Sequence, residues 1–367
     1  MNRFLILFLV GSLLAGCASR GSLVIEPASK GSGQTERIFV GTTRAPYVEA
    51  DDGYSGRRTE VMQFARLDVS VPPERKRGRL PSPKEGTRPN PRTQFFATDM
   101  QTYPGDAAFR ADLRHAILGQ PGDKREAVIF VHGYNTRFHD GVYRAAQLGH
   151  DFRLTAALVH FSWASRGDLM GYAYDHDSAT IARDGLEKLL AEVEAAGART
   201  IVIVAHSLGT EVTMEALRQI AIARDRGVMS KIDGVILVSP DIDIDVFRAQ
   251  AKKIGKLPEP FVIFTSRKDR ALGLSADLTG QRQRLGNIKD VDRLADLKVT
   301  LVDTTAFSTG TGHFNPGDSP TLIAMLERLP DLDAAFASDG GFRTGLLPGA
   351  ALNIQNVTEI VLAPLGP

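Results

Sequence analysis

Short apolar runs alternate with amphipathic segments through most of the chain. Six runs of six to eight residues consist largely of Val, Ile, Leu, Phe and Ala, at 127–132, 156–163, 200–205, 233–239, 261–266 and 298–303. Continuous apolar runs of this length are typical of strands buried on both faces of a sheet. Apolar residues with helical spacing occupy segments between and after them, at 140–153, 178–197, 208–226 and 319–329. This alternation predicts an α/β fold with a doubly wound, mostly parallel sheet, helices on both faces and right-handed crossovers.

Local signals indicate where two of these helices begin or end. Ser178 is the expected N-cap of the helix 178–197, and Gly197 stands at its end. Gly227 is expected to close the helix 208–226.

A basic segment follows two strand-like runs, 37–46 and 61–71, near the start of the domain. Residues 74–92 contain seven basic residues, two acidic residues and four prolines. Proline and repulsion between like charges oppose both helix and strand interiors, so we expect a loop. Two interpretations stay open, namely a solvated loop and a contact with anionic lipid headgroups.

Composition narrows the class of protein. The chain of 367 residues is 43% hydrophobic and 24% charged, which is typical of globular proteins and sufficient for one large α/β domain or two small ones. The formal net charge of +1 does not indicate a nucleic-acid partner. The sequence has no internal repeat, heptad pattern or zinc-like spacing of Cys and His, and we expect no metal or organic cofactor.

The N-terminus has the pattern of an export signal. Arg3 is followed by 13 mostly apolar residues, a run too short to span a bilayer and typical of a signal-peptide core. The run ends in Leu14-Ala15-Gly16-Cys17, which resembles a bacterial lipobox, in which the cysteine is diacylated and becomes the mature N-terminus. Acylation there would give lasting membrane attachment. Because Cys17 is the single cysteine, no disulfide is expected; the alternative is an ordinary signal peptide with a buried thiol.

These signals divide the chain into four parts. Residues 1–16 form a predicted lipoprotein signal peptide, and residues 17–36, rich in Ser, Gly and Ala, form a predicted flexible tether. Residues 37–333 form the predicted α/β domain. The Gly-rich tail 334–367 has no pattern that predicts its structure.

The strand 200–205 runs directly into a helix, with a serine at the corner. A nucleophilic serine must stand clear of the sheet, and the tight turn that exposes it brings the strand and helix backbones close together. Residues two before and two after the serine must therefore be small, as in the G-x-S-x-G signature. The sequence here is Ala205-His206-Ser207-Leu208-Gly209, with alanine in place of the first glycine. We expect Ser207 to be a nucleophile and His206 to be structural; the alternative is that Ser207 caps the helix.

A serine nucleophile needs a base and an acid, which follow it in the order Ser, acid, His in folds of this type. Of eight histidines, His313 alone follows Ser207, and it lies in a Gly-rich loop after the last apolar strand. Asp269 follows the preceding strand, and we expect its carboxylate to orient the imidazole. Asp241 and Asp243, which follow the strand before that, are the alternative acids.

Two backbone N–H groups are expected to stabilise an oxyanion. The N–H of Leu208 lies at the start of a helix, where unpaired N–H groups and the helix dipole favour negative charge. The second donor is expected in the loop after the strand 127–132, where Gly133 permits close approach and the N–H of Tyr134 is the candidate.

Aromatic residues cluster between the strand 156–163 and the next helix. Trp163, Tyr172 and Tyr174 are candidates for lining an acyl pocket. Packing of this segment against the sheet edge is the alternative.

Five blocks of sequence resemble successive parts of a bacterial branch of the α/β-hydrolase superfamily, whose members are described as esterase/lipase-like proteins of unknown function. The blocks are FVHGYNTRFHDGVYRAAQLGHDF, HFSWASRGDLMGYAYDHDSA, VAHSLGTEVTMEALRQ, VSPDIDIDVFRAQ and SRKDRALGLS, and the resemblance extends over about residues 37–330. It implies the α/β-hydrolase fold and a Ser-Asp-His triad, which falls on Ser207, Asp269 and His313. It implies no substrate. Ala164 replaces the proline expected in the second block, so the loop there is expected to differ in shape.

The sequence therefore predicts a serine hydrolase that acts on carboxylic esters, with a small-molecule or lipid ester as substrate. Thioester and amide hydrolysis would use the same residues, and a catalytically silent lipoprotein that serves as a binding module is the alternative from another class. We expect the protein to be exported and anchored in the bacterial cell envelope through lipidated Cys17. Ala18, which is not aspartate, favours an outer membrane facing the periplasm if the source is Gram-negative.

Overall fold

The described part of the computed structural model contains an eleven-stranded sheet with helices on both faces. The described residues are 21–47, 53–84, 86–122, 124–280, 283–308, 310–327, 349–354 and 356–363. The predicted signal peptide and Cys17 lie outside them. Within these ranges, no helix is both long and apolar enough to cross a membrane.

The middle of the sheet is parallel, as predicted. Its strands are β1 (Gln34–Pro46), β2 (Tyr54–Val71), β3 (Phe96–Tyr103), β4 (Glu126–Val131), β5 (Ala157–Ser162), β6 (Thr200–His206), β7 (Ile232–Val238), β8 (Phe261–Thr265), β9 (Val299–Asp303), β10 (Gly349–Ile354) and β11 (Val357–Leu362). They lie in the order β10-β11-β9-β8-β7-β6-β4-β5-β1-β2-β3. Neighbours from β11 to β1 pair in parallel, and β10, β2 and β3 pair antiparallel at the two edges.

Helices connect most of the parallel strands. They are α1 (Asp106–Leu118), α2 (Phe138–Asp151), α3 (Tyr172–Ala195), α4 (Gly209–Ala223), α5 (Arg226–Met229), α6 (Ile244–Ile254), α7 (Arg270–Leu278), α8 (Asn315–Asp318) and α9 (Pro320–Glu327). Short 3₁₀ turns lie at Pro27–Ser29, Leu285–Asn287, Val291–Leu294 and Thr305–Phe307.

Each parallel strand contributes to two cores because successive side chains point to opposite faces. In β4, Ile129 and Val131 join the core that α1, α3, α4 and α6 cover, and Phe130 joins the core that α2 and α9 cover. Burial on both faces is the physical reason for the continuous apolar runs in the sequence. The loops that follow the parallel strands emerge together at the carboxyl edge of the sheet, where ligands bind in folds of this type.

The segment 21–33, predicted as part of a flexible tether, is bound to the domain. The N–H of Ser22 donates to the carbonyl of Pro83 at 3.1 Å, and the N–H of Ala97 donates to the carbonyl of Val24 at 2.9 Å. The tether prediction is therefore wrong from residue 21 onward, because backbone pairing with a distant loop and with β3 immobilises this polar stretch.

The basic segment 74–92 is a loop, as predicted, but part of it is packed. Arg75 forms a buried ion pair with Asp151 at the end of α2, and its guanidinium lies 5.2 Å from the ring centre of Phe95. The N–H of Gly78 donates to the same carboxylate at 3.0 Å. Neither the solvated-loop interpretation nor the headgroup interpretation predicted this attachment.

Two predicted helix ends are wrong. α3 begins at Tyr172, so Ser178 lies inside the helix, where its hydroxyl accepts a hydrogen bond from Nε of Arg58 at 2.8 Å. α4 ends at Ala223, and Arg224 closes it in the left-handed conformation with φ of +58°. Gly227 belongs to the short helix α5. At Ser178 a distant partner replaces the capping role, and at Gly227 the side chain of Asp225 accepts the N–H of Gly227 and starts a new helix.

The Gly-rich tail supplies two strands at one edge of the sheet. β11 pairs in parallel with β9, and β10 turns back antiparallel to β11. The side chains of Ile360 and Leu362 are buried. Residues 349–363 therefore extend the α/β domain beyond the predicted boundary at residue 333.

Candidate active site

Ser207 stands at a sharp turn between β6 and α4. Its φ of +51° lies in the left-handed region, which residues with a Cβ rarely adopt. The N–H of Ser207 donates to the carbonyl of Val238 at 3.0 Å, and the N–H of Thr210 donates to the carbonyl of Ser207 at 3.0 Å. The predicted strand-to-helix corner is present, and backbone strain of this kind is concentrated at functional sites.

Small residues flank Ser207 because β4 and its following loop lie against the turn. A Cβ at Gly209 would lie 2.3 Å from the carbonyl oxygen of His132, which real Cβ contacts do not reach. A Cβ at Gly133 would lie 2.7 Å from the Cβ of Ser207. Ala205 is completely buried. This crowding is the physical basis of the small-x-Ser-x-Gly pattern.

His313 and Asp269 form a hydrogen-bonded pair at the same edge of the sheet. Nδ1 of His313 lies 2.8 Å from Oδ2 of Asp269; the carboxylate is completely buried and the imidazole is 17% exposed. Because an ionised carboxylate only accepts hydrogen bonds, Nδ1 carries a proton and Nε2 is left for another group. The second carboxylate oxygen accepts the N–H of Leu272 at 3.0 Å and so caps α7.

Contacts between two loops hold this pair in register. The N–H of Arg270 donates to the carbonyl of Thr311 at 3.1 Å. Gly312 has a φ of +71°, and a Cβ there would lie 3.0 Å from the carbonyl oxygen of Lys268. The close approach of these backbones requires glycine next to His313.

His206 borders the pair from the end of β6. Its ring centre lies 4.7 Å from that of His313 and 4.4 Å from that of Phe314. Burial lowers the pKa of His206 well below its usual value, so the ring is neutral at ordinary pH. These contacts agree with the structural role predicted for this residue.

The two alternative acids have other partners. Asp243 accepts two backbone N–H groups and caps α6. Asp241 is buried, where it pairs with Nε of Arg284 at 3.0 Å and accepts the hydroxyls of Ser275 at 2.7 Å and Tyr172 at 3.1 Å. The structure therefore brings Asp269, and neither alternative, to the imidazole of His313.

The two candidate oxyanion donors lie next to Ser207. Leu208 starts the helical conformation with φ of −61° and ψ of −22°, and N–H groups of a first helical turn have no partner within the helix. Tyr134 directly follows Gly133, where an added Cβ would lie 2.7 Å from the Cβ of Ser207. Their role as oxyanion donors stays a prediction.

The three candidate pocket aromatics have different surroundings. Trp163 is completely buried; its indole N–H donates to the carbonyl of His132 at 2.7 Å, and the two rings stack at 4.8 Å. Tyr174 lies under the guanidinium of Arg58 at 4.0 Å. Both residues support the fold by packing, as the alternative interpretation proposed. Tyr172 packs edge-on against Tyr134 at 5.3 Å and thus borders the candidate oxyanion loop.

Arg44 is a residue near the site that the sequence patterns did not indicate. It lies on β1 with 1% exposure, and its guanidinium donates to the carbonyl of Thr136 at 2.7 Å. A buried arginine in a strand is unusual unless it is paired or hydrogen-bonded. A charged residue in the second half of the strand-like run 37–46, which also begins with Arg37, was the one available signal.

A cavity of about 380 Å³ lies on the sheet face that α2 covers. Its walls are mostly apolar and include Val204, Val238 and Phe314. Ser207 and His313 are not among the residues that line it. In the part of the chain that the structure describes, no group of three His, Cys, Asp or Glu residues is arranged to hold a metal ion.

The fold and this edge define the class of protein. A mostly parallel sheet, a strained serine between strand and helix, and a His–Asp pair at the same edge of the sheet are the features of an α/β hydrolase. The profile of the family described as "Alpha/beta hydrolase of unknown function (DUF900)" matches residues 106–328, and the chain belongs to this family.

Solved structures of hydrolases are distant neighbours. The chain is similar to lipase B of Aspergillus fumigatus with 13% identity and a TM-score of 0.38, over 60% of this chain and 55% of that one, so it spans just over half of that lipase. It is similar to an esterase of Pyrococcus furiosus with 11% identity and a TM-score of 0.30, over 78% of this chain and 89% of that one. A hydrolase from Oleispira antarctica has 11% identity and a TM-score of 0.27, over 66% of this chain and 84% of that one. No curated protein matches the chain.

Proposed function

We propose that the protein is a serine hydrolase that cleaves carboxylic esters. The observation that carries the proposal is the 2.8 Å contact between His313 and the buried carboxylate of Asp269, at the sheet edge where Ser207 is held with φ of +51°. A nucleophile, a base and a group that orients the base thereby come from three separate loops. Such convergence serves nucleophilic catalysis.

The first half-reaction forms an acyl-enzyme. The hydroxyl oxygen of Ser207 attacks the carbonyl carbon of the ester while Nε2 of His313 takes its proton, and the π electrons move to the carbonyl oxygen. Asp269 accepts a hydrogen bond from the Nδ1–H of the imidazole, which fixes the tautomer and stabilises the imidazolium. The N–H groups of Tyr134 and Leu208 donate to the oxyanion; loss of one such donor typically lowers turnover by roughly 10²–10³.

The second half-reaction regenerates the enzyme. The tetrahedral intermediate collapses, the ester C–O bond breaks, and His313 gives its proton to the alcohol that leaves. Water then attacks the acyl-enzyme while Nε2 of His313 takes a proton from it, and the acid is released when that proton returns to Ser207. These steps need no oxidant, reductant or external cofactor.

The cell envelope is the proposed place of action. The Leu14-Ala15-Gly16-Cys17 sequence supports a lipid anchor on Cys17, which lies outside the described residues. An anchored hydrolase meets small-molecule esters from its surroundings and lipid esters from the adjacent membrane, and we propose this substrate class.

A panel of acyl esters of one chromogenic alcohol, from acetyl to palmitoyl, tests the proposal, with a thioester and an anilide of each acyl group. The matched controls are Ser207→Ala and Ser230→Ala. The second variant removes an exposed hydroxyl in the connection between α5 and β7. We expect ester turnover that Ser207→Ala abolishes and Ser230→Ala leaves unchanged. Faster turnover of the thioester or anilide would change the assigned bond, and absence of Ser207-dependent turnover across the panel would contradict the proposal.

A further inference from the structure

A buried arginine lies behind the candidate oxyanion loop. Arg44 extends from β1 and donates to three groups at the carboxyl edge: Nη2 to the carbonyl of Thr136 at 2.7 Å, Nη1 to the carbonyl of Ser165 at 2.8 Å and Nε to the hydroxyl of Ser162 at 2.9 Å. Burial lowers the pKa of Arg44 to about 10, which leaves the group charged near neutral pH. One guanidinium therefore ties the loop after β4 to the end of β5 and the loop that follows it.

A buried carboxylate, opposite in charge to Arg44, binds the same two loops. Asp175 lies in the first turn of α3, where Oδ2 accepts the N–H of Asn135 at 3.0 Å and Oδ1 accepts the N–H of Arg166 at 2.7 Å. Oδ2 also accepts the hydroxyl of Ser165 at 2.5 Å. Hydrogen bonds to a charged acceptor in a dry environment are strong, so these contacts restrain the loops.

Ser165 joins the two charged groups. Its hydroxyl oxygen accepts the N–H of Thr136 at 3.0 Å while its own proton goes to Asp175. Its carbonyl accepts the hydrogen bond from Arg44. Both backbone groups of Thr136 are therefore held, the N–H by Ser165 and the carbonyl by Arg44.

Arg44 also acts on His132, which lies at the start of the loop. Nη2 of Arg44 lies 3.3 Å from Nε2 of His132, and Nδ1 of His132 lies 2.8 Å from the carbonyl oxygen of Gly133. Burial lowers the pKa of His132 well below its usual value, so the ring is neutral and carries one proton. Nε2 also lies 3.1 Å from the carbonyl oxygen of Trp163, a group that only accepts. The Gly133 carbonyl is closer to the ring, at 2.8 Å, and a guanidinium only donates, so Nε2 accepts from Arg44 and the ring proton is on Nδ1, where it binds the Gly133 carbonyl.

The planar peptide unit links the hydrogen bond at the Gly133 carbonyl to the direction of the proposed oxyanion donor, the N–H of Tyr134. The carbonyl of Gly133 and the N–H of Tyr134 belong to one planar trans peptide, in which they point in opposite directions. A hydrogen bond that fixes the direction of the Gly133 carbonyl therefore fixes the direction of the Tyr134 N–H. On the other side of Tyr134, Asp175 holds the N–H of Asn135, whose φ of +56° is a strained conformation.

We propose that Arg44 and Asp175 are positioning residues of the oxyanion site. Arg44 selects the His132 tautomer that orients the peptide between Gly133 and Tyr134, and Asp175 clamps the residue that follows. The inference rests on the proposed function, since it assigns these residues to the placement of an N–H group that binds the oxyanion. Neither residue contacts substrate in this account.

Three variants of the full-length protein test the assignment. Arg44→Met removes the donor to His132, Asp175→Asn keeps the shape but removes the charge, and Ser165→Ala removes only the shared hydroxyl and serves if a charge variant does not fold. The matched control is Asp151→Asn, because Asp151 is an equally buried carboxylate, bound by Arg75, Gln147 and the N–H of Gly78, at the far end of α2. Loss of the Asp151 charge is expected to lower stability without changing any contact of the segment 133–137.

Two readouts separate positioning from general destabilisation. We expect kcat for the best ester to fall roughly 10²–10³-fold in Arg44→Met and Asp175→Asn, with KM nearly unchanged, because an interaction made in the transition state is lost. We expect faster hydrogen–deuterium exchange in the segment 133–137 and unchanged exchange in the segment 204–212. In Asp151→Asn, kcat and both exchange rates should match the wild type.

The inference is overturned if the exchange of 133–137 is unchanged in folded variants, or if kcat falls no further than in Asp151→Asn. A wild-type protein without Ser207-dependent turnover contradicts the proposed function instead. In that case the exchange measurement still decides whether Arg44 and Asp175 hold the loop.

Discussion

Nδ1 of His313 lies 2.8 Å from Oδ2 of Asp269, although 44 positions separate these residues in the sequence. The other carboxylate oxygen of Asp269 caps α7, so one side chain both starts a helix and orients the imidazole. The capping bond thereby fixes the direction of the carboxylate that the proposed mechanism uses to orient the imidazole.

The first prediction separates the acids. Asp269→Asn should lower kcat on the order of 10⁴-fold, because asparagine keeps the shape of the carboxylate but favours the wrong imidazole tautomer. Asp241→Asn should keep most turnover and lose stability, since it leaves the buried guanidinium of Arg284 without its counter-charge. Asp243→Asn should be nearly neutral, because asparagine is a good N-cap. Ester turnover and urea unfolding of the three variants measure both effects.

Near-normal turnover in Asp269→Asn, together with a large loss in Asp241→Asn or Asp243→Asn, would contradict the assignment of Asp269 and place the catalytic acid in the loop after β7.

The second prediction concerns two glycines in helices, Gly209 at the start of α4 and Gly273 inside α7. Gly209→Ala should destabilise the protein by about 1–3 kcal/mol and impair turnover, because the added Cβ would lie 2.3 Å from the carbonyl oxygen of His132. Gly273→Ala, inside α7, has no heavy atom within 4 Å of the added Cβ and should stabilise by about 0.5–1 kcal/mol. Urea unfolding gives both free energies. Equal stability of Gly209→Ala and wild type would refute the argument from crowding.

The third prediction is a dependence of stability on pH. Burial lowers the pKa of His132, His160 and His206, in His160 to about 3, whereas an unfolded histidine titrates near 6.5. Between these values the unfolded chain binds protons that the folded chain does not, so the stability that depends on the neutral rings is complete above pH 6.5 and is lost as pH falls. Each ring contributes a slope on the order of 1.4 kcal/mol per pH unit.

Between about pH 6 and pH 4, His160→Gln should reduce the slope of the free energy of unfolding against pH by the contribution of one histidine ring. Urea unfolding over this range compares the variant with the wild type. Because the comparison uses slopes, a uniform loss of stability in the variant does not affect it. Identical slopes would mean that His160 is protonated in the folded protein.

The fourth prediction concerns the anchor. Cys17→Ser should block acylation and processing at this position, because the thiol is the group that receives the lipid. Mass spectrometry of the wild-type mature protein should find an acylated N-terminal peptide that begins at Cys17. An unmodified N-terminus at another position would contradict the lipobox interpretation.

Features that depend on local constraints could be predicted from the sequence. Strands such as β4 and β8 are buried on both faces, so nearly every residue in them is apolar. The corner at Ser207 requires small neighbours because backbones cross there, and Ala205 and Gly209 preserve that requirement. The order of nucleophile, acid and base along the chain then selected His313 and favoured Asp269, with Asp241 and Asp243 as alternatives that only the structure separates.

Features that depend on distant contacts could not be predicted. Arg44 has no motif, because its partners come from loops after β4 and β5. The segment 21–33 has the composition of a linker, and only its pairing with β3 and a neighbouring loop orders it. β11 joins the sheet by pairing with β9. It is a short apolar stretch in a Gly-rich tail, and its sequence does not indicate which strand it pairs with.

The most direct test of the central claim is the site of covalent modification by a fluorophosphonate. The reagent phosphonylates a serine whose hydroxyl an adjacent base activates, so peptide mass spectrometry should locate one adduct on Ser207. Ser207→Ala should abolish the adduct and His313→Gln should slow its formation severely, while Ser230→Ala should react like the wild type. An adduct on another residue, or labelling that persists in Ser207→Ala, would contradict the assignment of Ser207 as the nucleophile.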